Sequence, residues 1–183
     1  MNEPVPRLMR VIGAGLDAAS ARLEKLSHTK WTMQTVSVRQ FSPGEFSASF
    51  SADAGEGFGV IFTAAGSSFV VFLSAPSASA ICRAFLGKAY KSSAERDAIA
   101  EVSNIVINAM IDEIGEATEE MLLLSAPRVV EGQRSGIMKR ALESFRTEGR
   151  PNPIVSQVHM MAEGLSADCA VILLMSGVTR SRL

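Results

Sequence analysis

The stretch "RDAIAEVSNIVINAMIDEIGE", residues 96–116, spaces Asp97, Glu101, Asn104 and Asn108 at intervals of four, three and four. At about 100° per residue a helix gathers all four within an arc of roughly 60°. Carboxylates accept hydrogen bonds and carry charge, and carboxamides both donate and accept. A nucleophile–base pair is missing, and no histidine or cysteine accompanies them to build a metal site. Taken one at a time, each residue reads as part of the solvated stripe of an amphipathic helix. Taken together they form a narrow ridge on an apolar helix, and asparagine is a poor helix former that this position keeps at some cost.

The elements that must hold this ridge follow from periodicity. "PRLMRVIGAGLDAASARLEKLSH" is a long helix, apolar at Leu8, Val11, Ile12, Leu16, Ala19, Leu23 and Leu26. "KWTMQTVSVRQF" alternates as a strand and ends before the Ser42-Pro43-Gly44 turn. "FSASFSADAGEGFGVIFTAAGSSFVVFLSA" supplies further strand material, its last two strands forming a hairpin through Ala65-Gly66. "APSASAICRAFLGK" is a short helix stopped by Gly87. Ser92 and Glu95 make a Ser-x-x-Glu capping box that opens the second long helix, expected to run to about Gly115. "EEMLLLSAPRVVE" reads as a strand interrupted by Pro127, and "GQRSGIMKRALESFRTEG" as an amphipathic helix with Ile137, Met138, Ala141, Leu142 and Phe145 on one face. A final hairpin turns at Gly164.

Long helix, strand, connector and hairpin thus occur twice, as an internal duplication of about 5–90 and 91–180. Each half alone is too short to bury its sheet face. The expectation is a single α+β domain over 1–183, with two long helices on one face of a mostly antiparallel sheet.

Composition narrows the function. The chain is 47% hydrophobic and 20% charged, with a formal net charge of −1 and a mean hydropathy of +0.20. Nothing marks a nucleic-acid or membrane-surface binder. No apolar run approaches a membrane span, and the start has no secretory signal pattern, so the expected location is the cytoplasm. Cys82 and Cys169 lie in apolar surroundings and read as buried reduced thiols. His28 and His159 lack metal-type spacing. Gly13-x-Gly15-x-x-Ala18 is a poor dinucleotide fingerprint, because no strand precedes it and no acid follows about 20 residues on. "GEGFG" reads as turn glycine.

The ridge extends into a longer pattern: Asp97-x3-Glu101-x2-Asn104-x22-Pro127. Gap for gap, this resembles the signature of the chemotaxis phosphatase family CheC/CheX/FliY. Chance would produce it on the order of a few times in a thousand such chains. The duplicated layout also resembles the family and extends over most of the chain.

The resemblance implies hydrolysis of the aspartyl phosphate on a CheY-type response regulator. Phosphoryl transfer of this kind is largely positioning and electrostatics, and the regulator is expected to supply its own Mg²⁺ and lysine. This chain would need no cofactor of its own. Glu101 is implied to pair with the regulator's lysine, and Asn104 to orient the attacking water. Asp97 and Pro127 are supporting signature positions, the latter expected to shape the strand edge. Asn108 lies outside the signature and is expected to be solvated. In the first half, Arg7, Val11, Ala14 and Ser37 stand where Asp97, Glu101, Asn104 and Pro127 stand in the second, so one site is expected, as in CheX-like members. A homodimer is expected from the apolar strands "SSFVVFLS" and "CAVILLM", at least one of them taken to lie at a sheet edge. The deamidase CheD is the partner that CheC-like members imply instead. The alternatives are a non-catalytic adaptor docking on a receiver domain or signalling complex and an unrelated small-molecule enzyme.

Overall fold

The computed structural model describes residues 6–42, 44–46, 48, 55–64, 66–144 and 154–175. Helix α1 (Pro6–Ser27) is followed by strand β1 (Thr32–Gln40), then by the hairpin β2 (Glu56–Ala64) and β3 (Ser67–Ser74). Helix α2 (Ala75–Leu86) leads through two short 3-10 turns to the long helix α3 (Glu95–Thr118). Strand β4 (Arg128–Gln133), helix α4 (Arg134–Ser144) and the hairpin β5 (Ile154–Ala162) and β6 (Leu165–Leu174) complete the order.

The six strands among the described residues join one antiparallel sheet in the order β1-β5-β6-β3-β2-β4. The order exchanges halves at every level. The lone strand of the first half pairs with the hairpin of the second, and the lone strand of the second pairs with the hairpin of the first. At the centre Val71 faces Val171. Each half therefore completes the other's sheet, and neither buries its hairpin without its counterpart.

The periodicity of α1 is met: Leu8, Val11, Ile12, Leu16, Ala19 and Leu23 are all buried, while Leu26 is exposed. These side chains join α2, α3 and one face of the sheet in the larger core, which includes Phe62, Phe69, Val71, Val171 and Leu173. Residues alternating with these along the strands, among them Ile61, Val70, Phe72, Ala170 and Ile172, meet Ile137, Met138 and Ala141 of α4 and Phe46 on the opposite face. Cys82 and Cys169 are free and buried, and burial pushes both thiols up to about 12.

Glycine in two suspect motifs has a packing reason. A Cβ on Gly15 would lie 2.8 Å from the Met110 Cα, so Gly15 marks where α1 crosses α3. Two of the three "GEGFG" glycines are strand residues and not turn residues: Gly57 and Gly59 lie inside β2, and a Cβ on Gly59 would sit 2.1 Å from Ile137 of α4.

Four expectations need correction. The strand read across 119–131 begins only at Arg128, because β2 ends at Ala64 and leaves the preceding backbone without a ladder partner. Only Ser125 reaches it, donating from its N–H to the Thr63 carbonyl at 2.9 Å. Met121 and Leu123 are consequently 86% and 77% exposed. Of the stretch "FSASF", residues 46 and 48 are helical, and residues 47, 49 and 50 lie outside the described residues.

The capping box at Ser92 does not form. Ser92–Ala94 is a 3-10 turn, α3 starts without a side-chain cap, and the Glu95 carboxylate instead accepts from Ser79 Oγ at 2.9 Å and from the Tyr90 hydroxyl. The argument for a homodimer also falls. "SSFVVFLS" and "CAVILLM" form the two central strands, whereas the edges are the more polar β1 and β4, a usual way of discouraging edge-to-edge pairing.

Candidate functional site

Helix α3 is buried along most of its girth, through Ile99, Val102, Ile105, Val106, Ala109, Met110 and Ile114 among others. Against that background Asp97 and Glu101 are exposed, while Asn104 and Asn108 are half-buried. Glu95 and Asp97 also place negative charge in the first turn, where the helix dipole favours it.

Two contacts fix the ridge in the fold. Arg96 donates from a guanidinium nitrogen to the Val129 carbonyl at 2.9 Å, tying the start of α3 to β4. Further along, Asp112 pairs with Arg22 of α1 at 2.5 Å. Pro127 is exposed and immediately precedes β4. It sits between Ser125, bonded to Thr63, and Arg128, paired with Ile61. Its missing N–H falls where an edge strand tolerates the loss.

Asn108 is not merely solvated. Its Nδ2 donates to the Asn104 carbonyl at 2.8 Å and to the Asn104 side-chain Oδ1 at 2.7 Å. The second bond fixes which end of the Asn104 carboxamide faces along the helix. The four-residue spacing was visible in the sequence, but the direction of this contact was not.

In the first half, Arg7 is exposed and donates to the Ala117 carbonyl near the end of α3, Val11 is buried, and Ala14 is exposed. Ser37 lies in β1, just past the bulge at residues 35–37, and lines a pocket with Arg39, Phe41, Val155 and Gln157. Neither this pocket nor an open groove at the end of α3, near Gly115 and Met121, includes Asp97, Glu101 or Asn104. At its start, through Asp97 and Glu101, the ridge is open to the surroundings.

No family model matches the chain, and no curated protein matches it in sequence. Solved structures do. FliY from Thermotoga maritima superposes with a TM-score of 0.76 at 14% identity, covering 100% of this chain and 96% of that one. The chain has the CheC/CheX/FliY fold.

CheX from Desulfovibrio desulfuricans matches with a TM-score of 0.53 at 13% identity, over 91% of this chain and 99% of that one. A chain of the FliG–FliM complex from H. pylori matches with a TM-score of 0.67 at 13% identity, over 97% and 100%. The CheC/CheX/FliY fold thus accounts for the six-stranded sheet and both long helices. Among the described residues, no helix is long and apolar enough to cross a membrane.

Proposed function

We propose that this protein is a phosphatase acting on the aspartyl phosphate of a CheY-type response regulator. The observation that carries the reading is the polar ridge of α3, which offers an exposed carboxylate at Glu101 and, one turn on, a half-buried carboxamide at Asn104 held by a neighbour.

In this reading the ridge enters the regulator's shallow acceptor site. Glu101 pairs with the regulator's lysine and sets the register of docking by a charge-assisted hydrogen bond. Asn104 then holds a water in line with the phosphorus, accepting one hydrogen bond and donating another. The water oxygen bonds to phosphorus as the bond from phosphorus to the aspartyl oxygen breaks. The aspartate leaves as carboxylate, and the phosphate product retains both water protons. The regulator's own Mg²⁺ stabilises the charge on the transferring group. Asp97 and Glu101, one turn apart with no third carboxylate or histidine grouped with them among the described residues, make a poor Mg²⁺ cage in this chain. Asp97 adds negative potential at the helix start, and Pro127 shapes the strand edge below it.

A second reading, a non-catalytic adaptor within a chemotaxis or flagellar assembly, is favoured by the likeness to FliM, solved in complex with FliG. The test is single-turnover hydrolysis of a ³²P-labelled response regulator from the same genome, with and without this protein. Acceleration well above the regulator's intrinsic rate supports the phosphatase. Saturable binding without acceleration, across all CheY-type regulators of the host, supports the adaptor.

A further inference from the structure

We infer that Asn108 is a positioning residue for Asn104, selecting which end of its carboxamide meets the substrate; this rests on the phosphatase reading above. The terminal torsion of an asparagine is broad and roughly two-fold, so an unrestrained carboxamide samples two flipped orientations. Only one of them presents its donors and acceptor in the right order to a water and a phosphoryl oxygen.

Asn108 removes the ambiguity. Its Nδ2 reaches both the backbone carbonyl and the side-chain Oδ1 of Asn104, at 2.8 and 2.7 Å. A primary amide has two N–H donors, so both bonds can be made at once. The Asn104 oxygen is thereby turned toward the C-terminal end of α3. One of its lone pairs is used, leaving the second lone pair and two N–H donors for the substrate side. The flipped state would set N–H against N–H and is disfavoured.

The same bond explains why a second asparagine is kept in a helix interior. A residue that only faced solvent could be any good helix former. Asn108 is instead half-buried, with its donor directed at its neighbour four residues earlier. Asn108 does not touch the reacting atoms in this scheme. Its effect passes wholly through Asn104.

Three substitutions separate positioning from mere support of the helix. Asn108→Ala removes the restraint and should lower kcat roughly three- to tenfold, with KM for the phosphorylated regulator unchanged. Asn108→Asp is nearly isosteric but only accepts, so it should draw the Asn104 Nδ2 toward itself and invert the carboxamide. Its loss in kcat should equal or exceed that of the alanine variant. Asn108→Gln restores a donor at the spacing where glutamine and asparagine bond along a helix, and should recover most of the rate.

A readout independent of activity accompanies these. In ¹⁵N-edited spectra of the isolated protein, the Asn104 Nδ2 protons should move downfield in Asn108→Asp, where they acquire a carboxylate acceptor. Unchanged Asn104 resonances in both the alanine and the aspartate variants would overturn the contact itself. An active wild type whose kcat survives Asn108→Ala and Asn108→Asp would overturn the positioning role alone. A wild type that accelerates no regulator's hydrolysis would bring down the phosphatase reading, and the catalytic role of Asn108 with it.

Discussion

Helices α1 and α3 each lead into a lone strand and a hairpin in the order of elements, yet they use corresponding faces differently. At the positions of Asp97, Glu101 and Asn104 in α3, α1 carries Arg7, Val11 and Ala14. Val11 is buried in the common core, and Arg7 reaches across to the Ala117 carbonyl at the far end of its partner helix. The first half thus invests this face in holding the two helices together. The second leaves it open and polar. Since α1 folds in the same setting without an acid or an asparagine there, the scaffold does not require the α3 ridge. A helix former would serve stability better at Asn104. The difference teaches that packing alone does not call for the ridge, which the proposed function would account for.

The comparison can be broken most forcefully by transplanting the ridge. Val11→Glu with Ala14→Asn, made in an Asn104→Ala background, should create no second site. It should cost roughly 3 kcal/mol in stability, because a carboxylate at Val11 loses its water without gaining a partner. Thermal unfolding and regulator dephosphorylation measure both halves of this expectation, and recovered hydrolysis would show that the two faces are interchangeable after all.

Next in size is Asn104→Ala in the otherwise native chain. Turnover should fall about 10²-fold or more while affinity for a regulator carrying a stable phosphoryl mimic hardly changes, since a contact made in the transition state is lost. The fold should be unharmed or slightly firmer, as alanine is the better helix former. Wild-type rates in this variant would favour the adaptor.

Glu101→Ala should act on binding as well. Loss of a charge-assisted pair should weaken association by roughly 1–3 kcal/mol and slow hydrolysis too. Calorimetry at rising ionic strength sharpens the point: the gap between wild type and variant should narrow as salt screens the pair.

The smallest effect belongs to the first helix. Arg7→Ala should cost less than about 1 kcal/mol in chemical denaturation, because its reach to Ala117 is made at an exposed site. Dephosphorylation should continue at the native rate. A collapse in activity would mean that α1 reports to the ridge through the helix pair.

How much could be read in advance is shown by two copies of one motif. Ser42 and Glu45 carry the Ser-x-x-Glu pattern, and there the box closes: the Glu45 carboxylate accepts from the Ser42 N–H at 2.9 Å and from its hydroxyl at 2.7 Å. Those two bonds hold the Glu45 carboxyl below the usual range. Phe41 and Phe46 pack edge to face across the same turn, as in a hydrophobic staple. Ser92 and Glu95 have identical spacing but no box, because Tyr90 and Ser79 take the carboxylate first. A local pattern states what a side chain can reach, and competition from residues packed beside it decides what it does reach.

Local physics, by contrast, was enough for much else. The 3.6-residue period placed α1, apolar stretches broken at glycines placed both hairpins, and Gly66, Gly87 and Gly164 marked stops where the backbone φ is indeed positive. The spacing of Asp97, Glu101 and Asn104 put them on one face because helix geometry leaves no choice.

What the chain could not announce was anything that depends on a distant partner. Strand order put the apolar β3 and β6 at the centre and the more polar β1 and β4 at the edges, which overturned the reason for a dimer. The crossing of the long helices gave Gly15, whose motif is a poor dinucleotide fingerprint, its packing reason against Met110. The end of β2 left Met121 and Leu123 uncovered in a stretch whose composition suits a strand. Sequence by itself determined the long helices, the hairpins and the ridge, because each follows from residues within a few positions of one another. Tertiary structure decided which groups are edges, which side chains are already taken and which end of Asn104 faces outward, since these turn on contacts whose geometry no spacing specifies.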